Sequence, residues 1–215
     1  MKNLPGRSCF KLCVFVCVTF LCSVWARGED WKTEKSRDGK IQIRNRMQTI
    51  YLNGEKVDVV EYEAITKTRV EQANFIAAMK KSETHQFILD NKSSLKLKSI
   101  SDHEWIFYYF FDFPWPMSDA DCVVHMELKQ DSSRAEFILN AAPDQFPRQA
   151  VQRMPVYNVT YSLQKMDYGI SIVSIHSEIS STMNAPDLLV QLWFPEGPAD
   201  LLRRLITASQ KPITP

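Results

Sequence analysis

Read for hydrophobic spacing alone, most of residues 31–180 alternate as strands do. Residues 31–36 and 40–47 read as two strands around Arg37-Asp38-Gly39, and a second turn at Asn53-Gly54 leads into a β-like run over 57–69. Asp-Gly and Asn-Gly favour tight hairpins because these residues tolerate positive φ. The period then changes. Val70, Ala73, Phe75, Ile76, Ala77 and Met79 are spaced for a helix over 70–81, and a second short helix is predicted over 83–89. Strand patterns return over 95–100, 105–113, 122–129, 134–141, 151–165 and 169–180. The last periodic segment is helical. Pro186 suits its first turn, and Leu188, Leu189, Leu192 and Trp193 share one apolar side. Gly197-Pro198 is expected to interrupt this helix, after which Leu201, Leu202, Leu205 and Ile206 resume the stripe to about residue 209.

One segment breaks the alternation. Seven of the eight residues over 106–113 are apolar or aromatic, Asp112 being the exception. Both faces of such a strand must meet something apolar; one can be the body of the domain and the other a ligand cavity. The faces assemble readily. Trp105, Phe107, Tyr109 and Phe111 share one; Cys122, Val124, Met126 and Leu128 another; Tyr157, Val159, Tyr161 and Leu163 a third. With Leu189, Leu192 and Trp193 from the last helix they could line an apolar pocket carrying a few hydroxyls, the usual make-up of a small-molecule site. The alternative is that the same residues pack on one another as ordinary core. The order of elements gives an α+β fold with one large antiparallel sheet.

The front of the chain stands apart. Lys2, Arg7 and Lys11 precede an apolar run of 14 residues over 12–25, and Val24-Trp25-Ala26 fits a small-x-small cleavage site. That layout predicts a secretory signal peptide over 1–26 and an exported mature chain, periplasmic or secreted. The run is short for a membrane span, which needs about 20 residues; an uncleaved anchor is the alternative. Cys9, Cys13, Cys17 and Cys22 all fall in this leader, leaving Cys122 alone in the mature chain, so no internal disulfide can form there. Without the leader's three basic residues the charge is 23 basic against 25 acidic, a net of −2. No basic excess is present to neutralise phosphates, so nucleic-acid binding is not expected.

Catalytic chemistry finds little material. His85, His103, His125 and His176 have no metal-ligand spacing to one another or to cysteine, and no Gly-x-Ser-x-Gly turn or Gly-rich phosphate loop occurs. Asp119-Ala120-Asp121 lacks the further oxygen ligands of a calcium loop and reads as a turn between strands. Cys122 reads as a small buried apolar residue rather than a nucleophile. His176 and Glu178 share one strand face; they form an acid–base pair if that face lines a cavity, and a solvated surface if it does not. No cofactor is implied.

A resemblance adds to this reading. Pro114-Trp115-Pro116-Met117-Ser118-Asp119-Ala120-Asp121, with Val123 following, resembles the PWPxSDRDxV signature of START (StAR-related lipid-transfer) domains, the lipid-transfer branch of the helix-grip, Bet v 1-like superfamily. Trp31, Gly39-Lys40-Ile41, Glu61-Tyr62 and the stretches Pro186-Asp187-Leu188-Leu189-Val190 and Glu196-Gly197-Pro198 fall in matching order, so the likeness covers about residues 29–209. One departure is Ala120, where the signature has arginine.

The resemblance implies a helix-grip fold over 27–209, a curved antiparallel sheet wrapped around a long C-terminal helix; Pro212 and Pro215 predict a disordered tail over 210–215. It implies a monomeric, non-enzymatic carrier that encloses one lipid, sterol or fatty acyl ligand and touches membranes transiently; the single mature cysteine and compact leader point to a bacterial exported kind. The C-terminal helix and a neighbouring strand loop would gate the cavity, with Gly197-Pro198 as the flexible point. Phe107, Tyr109, Val124, Met126, Tyr157, Tyr161, Leu189, Leu192 and Trp193 become the ligand-binding candidates. START proteins that carry sterols or phospholipids resemble one another in a buried arginine and, for sterols, an acidic partner. Those positions align with Met126 and Phe107, both apolar here, which leaves Tyr109, Tyr157 or Tyr161 to hold any polar group. The same superfamily contains cyclases and hydrolases, so an enzyme acting on an apolar substrate is the alternative, and a cavity-less interaction domain a third.

Overall fold

The computed structural model describes residues 30–113, 117–180 and 187–210, with side chains of the last stretch from Val190 onward. The expected leader, Pro114-Trp115-Pro116 of the signature, Pro186, the side chains of Leu188 and Leu189, and the tail beyond Gln210 lie outside the described residues.

A short strand, β1 (Lys32–Lys35), precedes two long ones, β2 (Gln42–Leu52) and β3 (Glu55–Thr68). Asn53 and Gly54 join the last two with φ of 52° and 85°, the paired positive values that a two-residue hairpin needs. Two short helices follow, α1 (Gln72–Met79) and α2 (Ser82–Leu89). Then come β4 (Leu95–Ser101), β5 (Glu104–Phe111), β6 (Ala120–Gln130), β7 (Arg134–Ala141), β8 (Gln152–Arg153), β9 (Tyr157–Lys165) and β10 (Ser171–Ser180). The chain closes on α3 (Asp187–Trp193) and α4 (Glu196–Ser209). The strands form one sheet in the order β1-β2-β3-β10-β9-β7-β6-β5-β4, antiparallel throughout except that β8 lies parallel beside β6. This is the α+β, helix-grip architecture expected from the sequence: a curved sheet holding the C-terminal helix.

Alternation along the strands builds the core. In β9, Tyr157, Val159, Tyr161 and Leu163 are buried while their neighbours face outward, and Phe137 and Leu139 of β7 pair with Tyr161 and Val159 across the ladder. On α4, Ala199, Leu202 and Leu205 are buried against β3, β10, α1 and α2. The helix is tethered at both flanks. Arg203 pairs with Asp38 of the β1–β2 turn, and Arg204 with Asp90 at the end of α2, at 3.2 and 3.0 Å.

Both faces of β5 are covered, as its composition demands, but by different things. Trp105, Phe107 and Tyr109 face the core under the helices. Ile106, Tyr108 and Val123 form a second cluster on the outer face, capped by Phe146. The segment carrying Phe146 is pinned by Arg153, which donates to both oxygens of Asp121 at 3.0 and 2.8 Å and to the carbonyls of Pro143, Phe146 and Pro147. Asp121 is fully buried and the Arg153 side chain is 6 % exposed. The second apolar face of β5 therefore packs beneath a loop rather than against a cavity.

Three expectations change. The strand predicted over 151–165 is split at Met154-Pro155-Val156, because proline cannot donate to a ladder. The terminal helix breaks at Phe194–Pro195, not at Gly197-Pro198. Pro198 falls in the first turn of α4, where a missing N–H leaves no bond unmade. Gly197 serves packing: a Cβ there would run into the indole ring of Trp193. Finally, Leu192 is 71 % exposed, so it does not line the interior. Val190 and Phe194, rather than Leu192, pack against the core that α4 also covers.

Candidate functional site

The interior face of the sheet is unusually phenolic. Tyr62 of β3, Tyr109 of β5, and Tyr157 and Tyr161 of β9 are all buried there, together with Cys122 of β6, Ser177 of β10 and His85 of α2. Strand register brings them to one region: Tyr109 lies opposite Cys122, Ser177 opposite Tyr62, and Ile179 opposite Tyr157. Aromatic contacts join them. Tyr157 touches Tyr109 and Phe111 at centroid distances of 5.8 and 6.0 Å, and Tyr62 meets Trp193 and Phe194 edge-on at 5.4 and 6.0 Å.

His85 fixes the proton order of this cluster. Its Nε2 lies 2.7 Å from the Met79 carbonyl oxygen and its Nδ1 2.8 Å from the Tyr109 hydroxyl. A carbonyl can only accept, so Nε2 carries the proton and Tyr109 donates to the bare Nδ1. The imidazole also packs on the Phe107 ring at 4.3 Å. Burial, reinforced by the charge of Lys96 and opposed by the Met79 hydrogen bond, draws His85 down to about 4, so it is neutral at physiological pH. Burial raises the phenols in turn: Tyr62 to about 12, Tyr109 and Tyr157 well above their ordinary value, and Tyr161 likewise. The Cys122 thiol is pushed up to about 12 by the same cause, which removes it as a nucleophile.

Burial dominates the rise at Tyr161, and its neighbour Tyr157 opposes it. Tyr62 stands in the same relation to Ser177. Yet Ser177 Oγ, fully buried, has no partner in hydrogen-bond geometry. An orphaned hydroxyl in a core is rare and calls for a physical reason.

The structure brings Phe107, Tyr109, Val124, Met126, Tyr157 and Tyr161 together on the interior face, all buried. Trp193 sits at the margin, 37 % exposed, against Tyr62. Leu192 lies outside the cluster, and the Leu189 side chain is among those outside the described residues. Met126 and Phe107 are both fully buried and apolar. Ala120 is buried on the same face, so the signature's arginine has no counterpart and this end of β6 stays apolar.

His176 and Glu178 are on the outer face. The His176 side chain is 46 % exposed and 3.7 Å from Glu61, while Glu178 accepts from Asn158 and Gln48. They are remote in orientation from the interior and form a solvated cross-strand network. Among the described residues no group of three or more His, Cys, Asp or Glu side chains could hold a metal ion.

Sequence reasoning missed His85, Tyr62, Ser177 and the Asp121–Arg153 pair. Thr84, His85 and Ile88 are the buried side of α2, and that spacing was available to assign His85 a face. Arg153 had no such signal, since it reaches Asp121 across 32 residues.

Comparison with known proteins supports the fold. No described family's profile matches the sequence. An uncharacterised protein of Pseudomonas aeruginosa is 24 % identical over 213 residues, covering 95 % of this chain and 99 % of that one. A STAR-related lipid transfer protein fragment from Xanthomonas axonopodis superposes with a TM-score of 0.67 at 21 % identity, over 84 % of this chain and 99 % of that one. Human StAR-related lipid transfer protein 5 gives 0.65 at 12 % identity, over 84 % and 86 %. The human StarD13 lipid transfer and protein localization domain gives 0.62 at 15 %, over 85 % and 90 %. The chain has the START-like, helix-grip fold.

Proposed function

We propose that this protein encloses one hydrophobic ligand between α4 and the interior face of its sheet, and carries that ligand rather than transforming it. The observation that supports this most is the hydroxyl-rich interior, with Ser177 Oγ left without a partner, in a fold shared with proteins described as lipid-transfer proteins. A core that served only packing would use Leu and Val at these positions, because each buried hydroxyl must find a bond. Affinity would come chiefly from apolar burial, at roughly 25 cal/mol per Å² removed from water.

Exchange needs an opening, and the Phe194–Pro195 break supplies a natural one. Arg203 and Arg204 hold α4 to the body, so α3 is the element that swings, with Leu192 and Trp193 exposed enough to meet a membrane surface. Residues 1–26 would direct export and be removed, giving a periplasmic or secreted carrier of residues 27–209; the amino terminus of the purified protein tests this.

The carrier reading is tested by native mass spectrometry of protein purified from its own compartment, followed by denaturation and lipid analysis. One hydrophobic adduct per chain is expected. A clean unliganded mass that survives incubation with mixed lipids would refute it.

A further inference from the structure

Resting on the carrier reading, we infer that the bound ligand presents an uncharged hydroxyl to Tyr109 and its neighbours, so the site selects neutral lipid alcohols over fatty acids and phosphorylated lipids. The inference follows from which atoms can donate and which can only accept.

Tyr109 gives its only hydroxyl proton to His85 Nδ1, because His85 Nε2 is committed to the Met79 carbonyl. The Tyr109 oxygen keeps its lone pairs and has no proton left. It can therefore take a hydrogen bond but not give one. A carboxylate offers acceptors alone at neutral pH and a phosphate monoester mostly acceptors, and both bring charge to lone pairs there. An alcohol offers the missing proton. Its own oxygen can then accept from a second buried hydroxyl, and the Tyr157 phenol, whose ring packs 5.8 Å from that of Tyr109, is the neighbouring donor.

Charge on the interior face points the same way. Buried carboxylates exist, but they belong to the other face: Glu61 is paired with Arg46 and Asp121 with Arg153. Lys96, the cation whose charge bears on His85, has its ammonium engaged by the Lys80 carbonyl and 5.7 Å from the Phe107 ring centroid. An anion brought to Tyr109 would thus be stripped of water and meet, at Lys96, an ammonium already engaged, a costly exchange. The imidazole cannot supply the charge, being locked as acceptor toward Tyr109.

The test is displacement of the neutral dye Nile red from the mature protein at neutral pH by three ligands of equal chain length: hexadecan-1-ol, hexadecanoic acid and hexadecyl phosphate. The alcohol is expected to displace the dye at a concentration at least about tenfold below that needed by either anion. Tyr109→Phe should reduce that preference to threefold or less, each ligand being compared with the dye affinity of that same variant. Equal or tighter binding of the acid, or failure of the alcohol to displace bound dye, overturns the inference while the carrier reading stands. Absence of any dye uptake by the parent protein overturns both. Should Tyr109→Phe fail to fold, the comparison of the three ligands on the parent protein still decides.

Discussion

Replacing His85 with glutamine should flatten the acid side of the protein's stability curve. In the folded state burial holds His85 at about 4, against an ordinary value of 6.5. Between those values the unfolded chain binds a proton that the folded chain refuses. Stability contributed by the neutral imidazole is therefore complete above about 6.5 and is lost as pH falls toward 4. Integrating across that window, the parent protein should lose about 2 kcal/mol between pH 7 and pH 5 from this group alone. Urea denaturation of parent and His85→Gln at several pH values measures it. The variant should start lower at pH 7, by about 1–3 kcal/mol, because the Tyr109 and Met79 partners are disturbed. Its curve should then fall less steeply, so that the two proteins converge near pH 5. Contributions of His103, His125 and His176 are common to both and cancel in the difference. Parallel curves over pH 7 to 5 would refute the buried, neutral imidazole and the proton order built on it.

Three further outcomes follow from the packing. Arg153→Ala leaves the Asp121 carboxylate buried without its counter-charge and should cost about 3–5 kcal/mol in a denaturant titration; a loss below about 1 kcal/mol would contradict the buried pair. Gly197→Ala forces Trp193 off its seat and should cost about 1–3 kcal/mol, with faster amide exchange in α3; unchanged stability and exchange would contradict the contact. Leu192→Glu should leave stability within about 0.5 kcal/mol, since the side chain is largely exposed, yet weaken association with lipid vesicles. Equal vesicle association by the two proteins would remove α3 from the membrane-facing surface.

The sheet was legible because its strands carry period-two burial. Tyr157, Val159, Tyr161 and Leu163 could be assigned to one face without coordinates, and the structure buries all four. The double apolar faces of β5 were equally visible, but not what covers them. The outer cover is a loop held by Arg153, and a contact spanning 32 residues leaves no periodic trace. Proline misled once. Both Pro195 and Pro198 can end a helix, and only their position relative to the first turn of α4 decides which one does. Treating α3 and α4 as one continuous stripe then placed Leu192 inside, whereas Val190 is the α3 residue packed on the core and Leu192 is exposed. His85 was missed for another reason: four histidines without metal spacing gave no cause to ask which of them was buried.

The most direct test of ligand enclosure is photocrosslinking. The mature protein would be incubated with a diazirine-bearing hexadecanol, irradiated, digested and mapped by mass spectrometry. Labels on peptides containing Tyr109, Tyr157 or Tyr161 are the predicted result, since these residues share the buried face of the sheet. Labels confined to the outer face, around His176 and Glu178, would contradict an enclosed ligand and the carrier function with it.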